Sequence, residues 1–308
     1  MASTKRVVIA ALIANFLIAV AKFIAWSITG SSSMLSEAYH SVSDTGNQVL
    51  LLLGMRLGSN GASREHPFGR GKEQFFFAFV VSVMLFGVAG YASLRHGFHK
   101  FGTEHAEANF TINYVVLSAA FLFEAWALKN AYEGVKREMK EKGFGSVVEA
   151  FRKSKDAPLI TALTEDAVAL AGIVVAFTSV GLTDITGNNV YDAIGSVLIG
   201  LLLMGFALAL AWENRSLIVG EGVTKSERQE LIDAVEATED VVSLIDLRTL
   251  HMGPDSVLVT IEAEFEREMT TSELKQATKR VEDAVRETLS ETDRVYVEAQ
   301  EPQEATRS

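Results

Sequence analysis

Residues 36–47 read Ser36-Glu37-Ala38-Tyr39-His40-Ser41-Val42-Ser43-Asp44-Thr45-Gly46-Asn47. They fall inside 34–57, a segment apolar enough to cross a membrane. An ionisable pair in hydrocarbon is costly unless it meets a partner, water or an ion, so His40 and Asp44 mark a functional site by default. The spacings of four and three set His40, Asp44 and Asn47 on one helical face.

Working outward, five further segments approach the roughly 20 apolar residues of a spanning helix: about 7–28, 75–98, 110–130, 158–182 and 191–212. Each carries one or two polar residues, as helices around a polar interior do. No small-residue cleavage site follows the first, so it is expected to stay as a spanning helix. Lys5 and Arg6, then Arg64, Arg70 and Lys72, then seven Lys and Arg between 136 and 155 flank the spans on one side. The opposite loops hold only Lys100. That bias predicts cytoplasmic basic loops and two cytoplasmic termini.

Beyond Trp212 the texture changes. Residues 226–239 read as an amphipathic helix, and 241–250 and 256–265 as strands across a Gly253-Pro254 turn. Residues 270–289 give a helix capped by Thr271 or Ser272, and 294–299 a last strand. Helix, strand, strand, helix, strand predicts a small α+β sandwich. The expected organisation is a membrane all-α six-helix domain over 1–213 and a cytoplasmic α+β domain over 214–308, with a frayed tail from 301. Residues 220–308 hold 22 Asp and Glu against 10 Lys and Arg, which accounts for the formal net charge of −11 and disfavours nucleic acid. With no cysteine, thiolate chemistry and cysteine-bound metal are excluded.

Imidazole with carboxylate suits zinc and its first-row neighbours, whereas magnesium and calcium prefer oxygen alone. One helix cannot complete a tetrahedral shell, so His40 and Asp44 need a donor from another span. The fifth offers Thr161-Ala162-Leu163-Thr164-Glu165-Asp166. Asp166 is expected to face the site as the third ligand. Glu165 points about 100° away round the helix and is ranked as a supporting group, with Asn47, water or a backbone oxygen to fill the last position. Read as packing alone, His40 and Asp44 would hydrogen-bond each other and stiffen a bundle.

The 36–47 segment resembles the second-helix signature of the cation diffusion facilitators, the zinc-transporter-type efflux proteins. His66-Pro67-Phe68-Gly69-Arg70-Gly71-Lys72-Glu73 resembles that family's loop into its third helix. Asn15, Lys22, Glu124 and Asp192 sit where the family tends to keep polar residues and, with Arg70, Lys72 and Glu73, are candidates for coupling or gating. The resemblance implies a homodimer in the lipid bilayer with a ferredoxin-like cytoplasmic domain. It also implies proton-coupled efflux of divalent transition metal (Zn2+, with Mn2+, Fe2+, Co2+ and Cd2+ as other cargo), no resident cofactor and no enzymatic activity. The prokaryotic cell membrane is the expected location. His66 and His105 are candidates for transient metal contact at the two entrances.

Two positions depart from the family's common pattern. Ala162 stands where zinc exporters place a histidine one turn before the aspartate, which loosens selectivity or moves it toward harder ions. The Thr164-Glu165-Asp166 segment, with Glu73 and Glu124, looks more like the branch of the mammalian ninth zinc transporter. In the cytoplasmic domain Tyr296-Val297-Glu298 lacks the usual histidine. Asp246, Asp255 and Glu298 remain as candidate oxygen donors around His251 for a weak metal site. A proton-coupled organic-cation transporter would need an aromatic cage in place of His40. A six-span scaffold or receptor would need no acids matched on two helices. No His-Glu-x-x-His helix points to a metalloprotease.

Overall fold

A computed structural model of the protein describes residues 2–101, 110–142 and 157–300. His105, part of the basic 136–155 segment and the tail from 301 lie outside the described residues. The chain forms two compact units, one of residues 1–49 and 80–211, the other of residues 50–79 and 212–308.

Six spanning segments match the expected number: α1 (Ala2–Thr29), α2 (Ser32–Gly58), a third running Glu73–Lys100, then α5 (Thr111–Lys142), α6 (Ala157–Thr186) and α7 (Val190–Val219). The third comprises α3 (Glu73–Met84), a π-helical stretch Leu85–Tyr91 and α4 (Ala92–Lys100). Four of the six are long and apolar enough to be recognised by hydropathy alone. α2 is not among them, because its polar residues are many. They are also buried: Ser32, Ser33, Ser36, Glu37, His40, Ser41 and Ser43 all face protein. Large apolar side chains instead cover the outside, Leu122, Trp126, Leu201 and Leu208 among them, as a surface against lipid requires.

Small residues let the spans approach closely. A Cβ on Gly200 of α7 would lie 2.7 Å from the Leu94 backbone nitrogen and 2.9 Å from the Gly90 carbonyl oxygen. Gly90 lies in the π-helical stretch, where the helix backbone packs directly on α7. Between α1 and α2 the chain turns at Gly30, whose φ of +67° suits glycine.

In the second unit, α8 (Lys225–Glu236), β1 (Val241–Gly253), β2 (Ser256–Phe265), α9 (Thr271–Thr288) and β3 (Thr292–Gln300) follow in the expected order. The sheet order is β1-β2-β3, antiparallel for the first pair and parallel for the second. Alternate residues of β2, from Val257 to Phe265, are buried. They pack on Leu231 and Val235 of α8 and on Ala277, Val281 and Val285 of α9. Thr224 caps α8. The cap of α9 is Thr270 and not Thr271 or Ser272: its hydroxyl accepts from the Glu273 N–H while the Glu273 carboxylate accepts from Thr270 N–H. That carboxylate is correspondingly held below its ordinary value. The last helix of the membrane region runs to Val219, six residues beyond the expected boundary at 213.

A G200L variant should lose thermal stability in detergent by about 1–3 kcal/mol, the usual cost of overpacking. G205L, on the same helix with open space at its Cβ, should unfold close to the wild type.

Candidate functional site

The polar face of α2 meets three other helices. At its start, Asp192 from the first turn of α7 accepts from Ser31 Oγ at 2.7 Å and from the Ser33 N–H at 3.0 Å, and also takes the Ser32 N–H. It caps α2 from a different helix, satisfying N–H groups that a helix start leaves without partners. This is the position of a residue expected to couple or gate: about 12 Å along α2 from His40, holding the helix end. One turn on, Ser33 Oγ meets Ser179 Oγ of α6 at 2.7 Å, and Ser36 Oγ meets Ser196 Oγ of α7 at 2.7 Å.

Next comes a buried ion pair. Lys22 of α1 reaches Glu37 Oε2 at 2.8 Å and Ser41 Oγ at 2.9 Å, with side-chain exposures of 2% and 0% for the two charged groups. Asn15 lies two turns before Lys22 on the same helix, half-buried.

His40 and Asp44 follow. Their closest approach, Nδ1 to Oδ1, is 3.4 Å, beyond the usual N–H···O range. Both ring nitrogens of His40 are buried, and among the described residues neither has a hydrogen-bond partner. The pair therefore does not act as a simple stiffening hydrogen bond. Charges gather around it: Glu124 of α5 and Glu165 of α6 act on His40, and Asp166 acts on Asp44 and Glu124. Beyond His40, α6 is bridged to α2 by Glu165, whose Oε1 accepts from Asn47 Nδ2 at 2.9 Å. The residue expected to point away thus reaches the polar face, since a glutamate is long enough to offset its angular position. No three His, Asp or Glu side chains close to ligand distance among the described residues.

Outside the membrane bundle, Arg70 pairs with Glu73 at 2.7 Å, and Lys72 Nζ donates to the Ile218 carbonyl at 3.4 Å near the end of α7. Gly69, with φ +84°, closes the turn begun at His66. In the sheet, Asp246, Glu262 and Glu298 form one cross-strand row, and Asp246 pairs with Arg248 at 2.6 Å. His251 stands apart from them, and its charged neighbours are Glu227, Glu221 and Glu291. Among the described residues no hydrogen bond or ion pair joins His251 to Asp246, Asp255 or Glu298. Glu37 is the buried acid that the sequence reading passed over, although positions 37, 40, 41 and 44 share one helical stripe.

Six spans around a buried ionisable stripe, joined to an α+β domain, define a multi-pass integral membrane protein. Residues 8–219 match the cation efflux transmembrane domain and residues 223–300 the cytoplasmic domain of cation efflux proteins. The chain belongs to that family, the cation diffusion facilitators, whose members are transporters and not enzymes. It is 29% identical over 279 residues to metal tolerance protein C4 of Arabidopsis thaliana, covering 91% of this chain and 61% of that protein. It is 31% identical over 268 residues to the human mitochondrial proton-coupled zinc antiporter SLC30A9, covering 86% and 47%. The cation-efflux pump FieF of Cronobacter sakazakii is 25% identical over 288 residues, covering 91% and 87%. The chain thus spans about half to three-fifths of the length of the first two.

Burial pushes the His251 imidazole below its ordinary 6.5, against the pull of the neighbouring glutamates. The folded domain then holds a neutral ring, and the unfolded chain takes the proton first as pH falls. Stability is full above 6.5 and declines as pH drops toward the lowered folded value. Hydrogen exchange at β1 and β2 of the full-length protein, compared between wild type and H251Q at each pH from 7.5 to 5, should show acid weakening in the wild type only.

Proposed function

We propose that this protein exports divalent transition-metal cations from the cytoplasm in exchange for protons, as a homodimer. The observation that carries this reading is His40: a buried imidazole with neither nitrogen satisfied, beside a carboxylate too distant to be its hydrogen-bond partner. Orphaned buried polar atoms are rare and costly, and a cation would take one imidazole lone pair. His40, Asp44 and Asp166 are the proposed ligands. Glu165 and Asn47, already joined to each other, stand ready as a further oxygen donor or as an orienting pair. One nitrogen and several oxygens fit a first-row divalent ion with looser preference than a two-histidine site.

Loading from the cytoplasm follows from the basic flanks of the spans. Ligands bind metal only when deprotonated, so protons arriving from the far side compete for the same groups and release the ion. Alternating access would rock part of the bundle about this fixed point. The proposed cargo is zinc, or manganese or iron, with cobalt and cadmium as further candidates. Dimerisation is assigned to the α+β domain, as the family implies. For Asp246, His251, Asp255 and Glu298, weak metal binding at the acidic surface of the α+β domain is the proposed role.

Metal-driven proton flux in proteoliposomes tests the site. D44A and D166A should each lower flux by about a hundredfold or more, as loss of a charged ligand in a membrane site would, while leaving folded protein. Wild-type flux in both variants would overturn the assignment. A162H, which adds a nitrogen donor one turn before Asp166, should raise zinc flux relative to manganese. An unchanged ratio would reject Ala162 as the source of looser selectivity.

A further inference from the structure

Glu37 shares the stripe of His40, Ser41 and Asp44, at spacings of three, four and seven. It is fully buried, and only half of its carboxylate is satisfied. Oε2 accepts from Lys22 at 2.8 Å, whereas Oε1 has no hydrogen-bond partner among the described residues. Oε1 lies against Gly172 of α6, where a Cβ would come within 2.7 Å of it. Lys22 is held from the other side by Ser41 Oγ at 2.9 Å. Both charges are near enough to act on His40 and Asp44.

Stability alone accounts poorly for this pair. A buried ion pair is often matched or bettered by apolar residues of similar volume, and a carboxylate oxygen left without a partner makes the pair weaker still. Its position one turn from an unsatisfied imidazole suggests another purpose.

Building on the transport reading above, we propose that Lys22 is a tethered cation that sets metal preference by holding Glu37 out of the ion's shell. The ammonium holds Oε2 and Ser41 Oγ, while Oε1 lies against Gly172 of α6. Without the ammonium, Glu37 is an uncompensated charge in a water-poor interior, and the cation within a turn's reach is the transported ion. A further carboxylate would then join a donor set already rich in oxygen, favouring manganese over zinc. Lys22 is thus a positioning residue that acts through Glu37.

The test measures competitive binding of Mn2+ and Zn2+ to the full-length protein in detergent by titration calorimetry, with flux of the two ions in proteoliposomes alongside. K22M should raise the Mn2+ to Zn2+ affinity ratio on the order of tenfold, the lower range for disturbing a group that orients metal ligands. E37Q should keep the wild-type ratio, and K22M/E37Q should return to it. K22Q, neutral but still a donor, is the milder variant should K22M not fold, with the same direction expected. An unchanged ratio in the folded single variants would overturn the proposal. So would a rise that persists in the double variant, or an equal loss of both metals that E37Q does not reverse. A wild type that binds neither ion, or D44A binding like wild type, would strike the transport site itself. A normal wild type with an unaltered K22M ratio strikes Lys22 alone.

Discussion

Lipid offers no hydrogen bonds, so a helix as polar as α2 can lie in a membrane only if other helices act as its solvent. That constraint organises the bundle. Asp192 supplies acceptors to the first turn of α2, serines of α6 and α7 meet Ser33 and Ser36, Lys22 neutralises half of Glu37, and Glu165 takes the amide of Asn47. At His40 the neighbouring helices supply charge, and among the described residues neither ring nitrogen has a hydrogen bond. Single oxygens of Glu37, Ser43 and Asn47 on the same helix are also unmatched among those residues.

The close approach this requires is made by small residues. Gly195 lies against Ser179 and Ser33, Gly90 against Met204, and Gly200 against the backbone of the third span. That third span widens to a π-helix over Leu85–Tyr91, where it meets α7. Such a turn is a frequent companion of functional sites, because it shifts the register of one face against its neighbours. The buried core between the helices is largely alanine, leucine and isoleucine with Phe110, and Trp26, Tyr39, Phe86, Tyr114 and Phe206 pack partly buried against it.

The stripe at 40, 44 and 47 was legible because helical periodicity is strong and ionisable residues in an apolar run are rare. The α+β domain was legible for a similar reason: the period-two burial of β2 is written in Val257, Val259 and Ile261. What escaped depended on length and direction of side chains across helices. Glu165 was placed off the site by its angle on α6, but its reach brings it to Asn47. Glu37 was hidden in plain periodicity, since its significance comes from Lys22, fifteen residues away on another helix. Asp192 reads as one more membrane acid in the sequence, and only the turn at Gly30 makes it the cap of a neighbouring helix. The π-helical stretch has no local signal beyond its glycines. In the cytoplasmic domain the same limit applies: Asp246 and Glu298 align through cross-strand register, which carries them away from His251.

Selectivity in the proposed site then turns on how many oxygens are free to approach one nitrogen. Ala162 removes a nitrogen donor from α6, and the helix offers Glu165 and Asp166 instead. Glu124 adds a further acid from α5, and Glu37 another from α2 itself. A site collecting all of these would be hard and strongly anionic, with zinc losing its advantage over manganese. Two neutral-to-cationic devices oppose that drift: Asn47 occupies Glu165 through its amide, and Lys22 occupies Glu37 through its ammonium. Each engages one oxygen of a carboxylate that would otherwise turn toward the ion. Restraint of competing acids, as much as the identity of the ligands, is therefore what would let a single imidazole govern the choice of metal.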